Sequence, residues 1–75
     1  MLSFSGEKLR AKREAKGLTQ MELGLQCGVY PVTVSNWETG RTAEPGAGVL
    51  QRFAEIFGCD TGDFFEERPN ASVGE

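Results

Sequence analysis

The sequence predicts a single all-α domain of five helices, and three observations predict it. Apolar residues recur at the three-and-four spacing of a helix face in several separate stretches. Glycines punctuate those stretches, at Gly17, Gly28, Gly40 and Gly58. No stretch shows the sustained apolar–polar alternation of a half-buried strand, so none is predicted.

The elements follow in order. Ser5 is a candidate cap for a first helix over residues 6–16, with Glu7 in its first turn and Gly17 as its stop. Thr19, with Glu22 three residues later, makes a capping box in which each side chain satisfies the other's orphan backbone N–H. That second helix ends near Gln26, before Gly28. Pro31 opens a third helix, because its missing N–H would be unpaired in a first turn anyway. The third helix runs through Trp37 and Glu38 and stops at Thr39-Gly40, and Arg41 to Pro45 reads as a loop.

Residues 46–57 carry Val49, Leu50, Phe53, Ala54, Ile56 and Phe57 at helical spacing. Asp60 can cap a short fifth helix over residues 62–66, with Phe64 or Phe65 packing inward. The domain therefore spans residues 1–66. Residues 67–75 lack apolar periodicity and read as a flexible tail.

Composition narrows the function classes. Seventy-five residues hold one small core. No window approaches the roughly 18–20 consecutive apolar residues of a membrane span, and residues 1–5 lack a secretory pattern, so the expected location is the cytoplasm with no membrane partner. With no histidine and two distant cysteines, Cys27 and Cys59, a four-ligand zinc site is excluded within one chain. Each cysteine occupies an apolar slot, which suits a small buried thiol better than a disulfide. An enzyme is not expected: there is no histidine for acid–base work and no glycine-rich phosphate loop after a strand. No cofactor is expected either. Asn70-Ala71-Ser72 matches a glycosylation triplet, which a cytoplasmic chain does not use.

Charge is distributed unevenly. Residues 1–41 hold six basic groups (Lys8, Arg10, Lys12, Arg13, Lys16, Arg41) and four acidic ones, for a net +2. Residues 42–75 hold two basic and seven acidic groups, for a net −5. Such asymmetry can turn a basic side toward phosphates, although a solvated helix surface would carry the same charges.

The strongest signal lies between Gln20 and Trp37. Two short helices joined across a glycine turn suggest a helix-turn-helix, whose second helix enters the major groove. Counted from Gln20, the fifth residue is Gly24, small enough for a close helix crossing, and the ninth is Gly28, free to take the positive φ of a sharp turn. Leu23, Cys27, Val29, Val34 and Trp37 fall where apolar side chains fill the crossing from inside. Seven constraints thus agree over eighteen residues.

The stretch from Leu9 to Gly24, the run Val32-Thr33-Val34-Ser35-Asn36-Trp37-Glu38-Thr39-Gly40-Arg41 and the later Phe53-Ala54-Glu55-Ile56-Phe57-Gly58 together resemble the lambda-repressor and Cro type of helix-turn-helix domain, the XRE-like family. The resemblance covers roughly residues 6 to 66. It implies a five-helix DNA-binding domain that docks as a two-fold pair on a near-palindromic operator. By position, it implies phosphate contacts from Thr19, Gln20, Tyr30, Thr33 and Arg41. It implies base-edge contacts from Pro31, Val32, Ser35 and Asn36, and a structural ion pair between Arg13 and Glu38. Asparagine can bond adenine at two atoms and valine can pack on a thymine methyl, so the reading leans toward A·T pairs.

Three features depart from the family. Gly24 stands where alanine is commoner, weakening the second helix by about 0.5–1 kcal/mol in isolation. Residues 41–48 are slightly longer than usual and include Glu44, and the chain is acidic overall. The expected function is a sequence-specific, double-stranded-DNA-binding transcriptional regulator of the repressor type, acting as a homodimer. Phe57, Phe64 and Phe65 are candidates for the dimer surface. The competing expectation is a protein-binding adaptor that keeps the fold and uses its acidic half to attract a basic protein.

Overall fold

Among the described residues, four α-helices form close to their predicted bounds: α1 over Gly6–Ala15, α2 over Gln20–Cys27, α3 over Pro31–Thr39 and α4 over Ala47–Phe57. The computed structural model describes residues 2–67. The predicted tail and the Asn70 triplet lie outside the described residues, except Glu67, which belongs to a strand.

Local chemistry sets the helix ends. The Ser5 hydroxyl accepts the Lys8 amide at 3.2 Å. Thr19 Oγ1 accepts the Glu22 amide at 3.0 Å, and the Glu22 carboxylate accepts the Thr19 amide at 2.8 Å, completing the expected capping box. At the end of α2 the Val29 amide reaches back to the Gly24 carbonyl at 2.9 Å, across Gly28 at φ +74°. A residue with a side chain rarely adopts that φ, so glycine makes the turn.

The sequence reading fails at both ends. Leu2–Phe4 forms a strand, β1, and Phe65–Glu67 forms a second, β2. They pair antiparallel, Phe4 opposite Phe65 and Leu2 opposite Glu67. Three-residue strands this far apart in the chain leave no local pattern to read. The predicted fifth helix is a single turn of 3-10 helix over Thr61–Phe64, and Phe65 turns to extended backbone at φ −113°, ψ 155°. It then joins β1 and packs edge-to-face on Phe4, with ring centroids 6.0 Å apart. The tertiary partner overrides the helical signal.

One core forms where these elements meet. Leu9, Leu23, Val34, Trp37, Leu50, Phe53 and Phe64 are its buried members. Phe53 sits at the centre, with ring centroids 5.7 Å from Trp37, 5.5 Å from Phe64 and 6.5 Å from Phe57. The expectation that Phe64 belongs to a dimer surface is corrected, because Phe64 is fully buried, while Phe57 and Phe65 are half-buried and pack their inner sides against the core. Cys27 and Cys59 are free, half-buried thiols against the same core. Burial raises both above the ordinary thiol range, which favours the protonated thiol over the thiolate.

The crossing of α2 and α3 is tight at Gly24, where a β-carbon would lie 2.7 Å from the Val29 carbonyl oxygen. Gly24→Ala is therefore expected to lower stability by about 1 kcal/mol, despite alanine's better helix propensity, because backbone must shift to admit it. A urea midpoint above that of the parent would show that the crossing has slack.

Candidate nucleic-acid interface

The candidate interface is assembled from the start of α2, the turn, the first two turns of α3 and the loop after it. Val34 and Trp37 anchor the inner side of α3 in the core. The opposite side is thereby presented outward. Pro31 and Val32 are exposed, and Ser35 and Asn36 are half-buried on the next turn. Positions 32 and 36 stand one above the other on a helix, as do 31 and 35, so the four share one face. The structure brings together all four residues singled out for base reading.

The flanking residues divide more finely. Tyr30 is 77% exposed and caps α3 through its backbone, its carbonyl accepting the Thr33 amide at 2.9 Å. Thr19 is exposed, and Thr33 is half-buried. Arg41 is exposed and fixed by its own backbone: its amide donates to the Asn36 carbonyl at 2.9 Å, closing the end of α3 across Gly40. Gln20 is half-buried, and its carboxamide Nε2 donates to Glu38 Oε1 at 3.1 Å. No sequence signal shows that link, because its partners are eighteen positions apart.

Behind the interface lies the expected ion pair. Arg13 Nε donates to Glu38 Oε2 at 2.6 Å and Nη2 donates to Glu38 Oε1 at 3.2 Å. Arg13 Nη1 also donates to the Leu18 carbonyl at 2.8 Å. The Glu38 side chain is only 2% exposed and that of Arg13 only 10%. Hydrogen bonding to Glu38 raises the Arg13 pKa above its ordinary value, so the guanidinium is charged at any physiological pH. The Arg13–Glu38 pair thus ties α1, the α1–α2 connection, α2 and α3 together.

Electrostatics on this face are sparse. Between Gly17 and Pro45, Arg41 is the sole basic residue, and Glu44 shares its loop. Several basic residues of α1 have partners of their own. Lys8 Nζ donates to the Phe65 carbonyl at 2.9 Å, and Lys12 sits 5.9 Å above the Phe64 ring. Arg10 pairs with Glu14 at 3.0 Å on the solvated side of α1. Three of the basic residues of α1 are thus engaged with partners on α1, the last turn and β2.

One surface feature escaped the sequence reading. Met21, Leu25 and Tyr30 are exposed and, with Gly24, Gly28, Val29 and Pro31, line an apolar groove of about 370 Å³ beside the turn. The signal was the i, i+4 pair Met21 and Leu25 on the side of α2 away from Leu23. Among the described residues, no group of three or more His, Cys, Asp or Glu side chains could hold a metal ion, and no helix is long and apolar enough to cross a membrane.

Comparison with known proteins places this geometry. A family model described as helix-turn-helix matches residues 9–64. The P22 c2 repressor, solved in complex with a synthetic operator, is 34% identical, with a TM-score of 0.69 over 75% of this chain and 83% of that one. Hydroxypropylphosphonic acid epoxidase from S. wedmorenis is 29% identical, with a TM-score of 0.76 over 87% of this chain but 34% of its own. Its complex with fosfomycin is 30% identical, with a TM-score of 0.74 over 81% of this chain and 32% of its own. The chain thus spans about one third of that enzyme. A search of curated proteins gave no match. The matched span, the capping box, the glycine turn and the buried ion pair agree, and the chain belongs to the lambda-repressor/Cro-type (XRE-like) helix-turn-helix family.

Proposed function

We propose that this chain binds double-stranded DNA as a small transcriptional regulator of the repressor type, with α3 in the major groove. The observation that carries the reading is the outward face of α3, where Pro31, Val32, Ser35 and Asn36 stand together while Val34 and Trp37 hold the helix from behind. The likeness to a repressor solved on its operator supports it. Asn36 bonds an adenine edge and Val32 packs on a thymine methyl, while Thr19, Gln20, Tyr30, Thr33 and Arg41 hold backbone phosphates. Repression follows from occupying promoter DNA in the cytoplasm. The module performs no chemistry of its own. It works as a homodimer, because one recognition helix reads few base pairs and two-fold pairing spaces two of them by about 34–36 Å, one groove repeat.

Two substitutions separate reading from anchoring. Asn36→Ala is expected to weaken binding to a preferred duplex by about 1–3 kcal/mol and to relax selectivity at one base pair per half-site. Arg41→Ala is expected to weaken all duplexes alike and to flatten the salt dependence. Fluorescence anisotropy on preferred and scrambled duplexes at two salt concentrations measures both. Unchanged affinity and selectivity in Asn36→Ala would remove α3 from the major groove.

A second reading, a protein-binding adaptor, draws on the exposed Met21–Leu25–Tyr30 groove and on Glu44 in the same loop as Arg41. There the acidic second half attracts a basic protein. The same titration decides between them, since an adaptor binds neither duplex at either salt concentration.

A further inference from the structure

The phosphate-side residue Gln20 is not independent. Its carboxamide donates to Glu38, whose carboxylate also takes two hydrogen bonds from Arg13. Glu38 is buried, while Gln20 lies half-open at the first position of α2. A glutamine side chain at a helix start has several rotamers available, and the one adopted here reaches Glu38. With one N–H committed to Glu38, the second N–H and the amide oxygen take fixed directions.

The backbone beside it is equally settled. The capping box satisfies the amides of Thr19 and Glu22, so helix geometry leaves those of Gln20 and Met21 without an intrahelical acceptor. These two amides and the held carboxamide occupy one end of α2. Without the tie the carboxamide must be ordered at the moment of binding, which costs affinity.

We propose that Glu38 is a positioning residue for DNA binding: its buried carboxylate fixes the Gln20 carboxamide at the start of α2 and so makes one backbone phosphate per half-site a strong contact. The proposal rests on the DNA-binding reading above. Glu38 touches no DNA and acts through Gln20 alone. Its effect falls on a single phosphate and leaves base selectivity untouched.

The test uses a short duplex recovered by selection on the parent protein, and versions of it carrying one uncharged methylphosphonate at each position in turn. In the parent, one position facing α2 is expected to lower affinity roughly tenfold, the worth of a charge-assisted hydrogen bond. In Gln20→Met that sensitivity is lost. It is also lost in the pair swap Arg13→Met with Glu38→Leu, which leaves no buried charge and is expected to fold. Adding Gln20→Met to the pair swap changes nothing further, because the residues act in series. Equal base selectivity in all four proteins completes the expected result.

A pair swap that keeps the parent's sensitivity at that phosphate overturns the proposal, and so does strict additivity. Side-chain amide dynamics of Gln20 by NMR give a readout that needs no variant. Gln20 is expected to be rigid where the exposed Gln26 and Gln51 are mobile, and a freely rotating Gln20 also overturns the proposal. Failure of the parent to bind any duplex is a different outcome and removes the DNA-binding reading itself.

Discussion

Glu38→Ala is expected to cost roughly 3–5 kcal/mol of folding stability, because it leaves the Arg13 guanidinium buried without its partner. The Arg13 side chain is 10% exposed and keeps only the Leu18 carbonyl and the longer 3.9 Å approach of Glu14. A domain of this length has a total stability of about 4–11 kcal/mol, so the substitution removes much of it. The contrast with the pair swap is the informative part. Replacing both Arg13 and Glu38 with apolar residues removes both desolvation costs together and is expected to stay within about 2 kcal/mol of the parent. Urea unfolding of the three proteins checks the pattern. A single Glu38→Ala variant with the parent's midpoint would mean that water already reaches the guanidinium.

The second large effect is at the centre of the core. Phe53→Ala is expected to cost about 3–5 kcal/mol, since Phe53 is fully buried and three other aromatic rings rest on it. Trp37 belongs to the helix that carries Val32 and Asn36, so the cavity opens directly behind the outward face of α3. Duplex affinity is therefore expected to fall along with stability, and to recover when temperature is lowered enough to restore folding. Thermal unfolding and anisotropy on the same samples measure both. Loss of stability with affinity unchanged at the folding midpoint would separate the core from the face.

The sequence made the middle of the molecule legible because its signals are local. Thr19 and Glu22 are three residues apart, Gly24 and Gly28 lie on either side of one turn, and Val34 and Trp37 share one helix face. Each can be judged within a window shorter than the helix it belongs to. The Arg13–Glu38 pair is a long-range contact, and it was visible through the family resemblance, not through spacing. Both ends were misread for the opposite reason. Phe65 is equally suited to a helix or a strand, and only Phe4, brought back by the whole fold, decides between them. The helical signal at residues 62–66 was real in the local sense and lost to a tertiary contact.

The same distinction runs through the candidate interface. Exposure of Pro31 and Val32 follows from burial of Val34 and Trp37, which the periodicity of α3 already gives. The fate of the charges does not follow from the sequence. Lys8 and Lys12 count toward a basic half in any tally, yet they reach the last turn and β2. Gln20 at the start of α2 is not a free side chain, because its carboxamide is held by Glu38. The interface that results is lightly charged and apolar at its tip, with Tyr30, Pro31 and Val32 in front. Such a face favours shape and methyl contacts over counterion release, and its affinity for arbitrary DNA is expected to be low.

Selection of bound sequences from a random duplex pool at low salt tests the central reading most directly. The expected result is a near-palindrome whose half-sites are about 10 bp apart, rich in A·T pairs where Val32 and Asn36 reach. A pool that stays random after repeated rounds, with the protein folded throughout, would contradict DNA reading by this face.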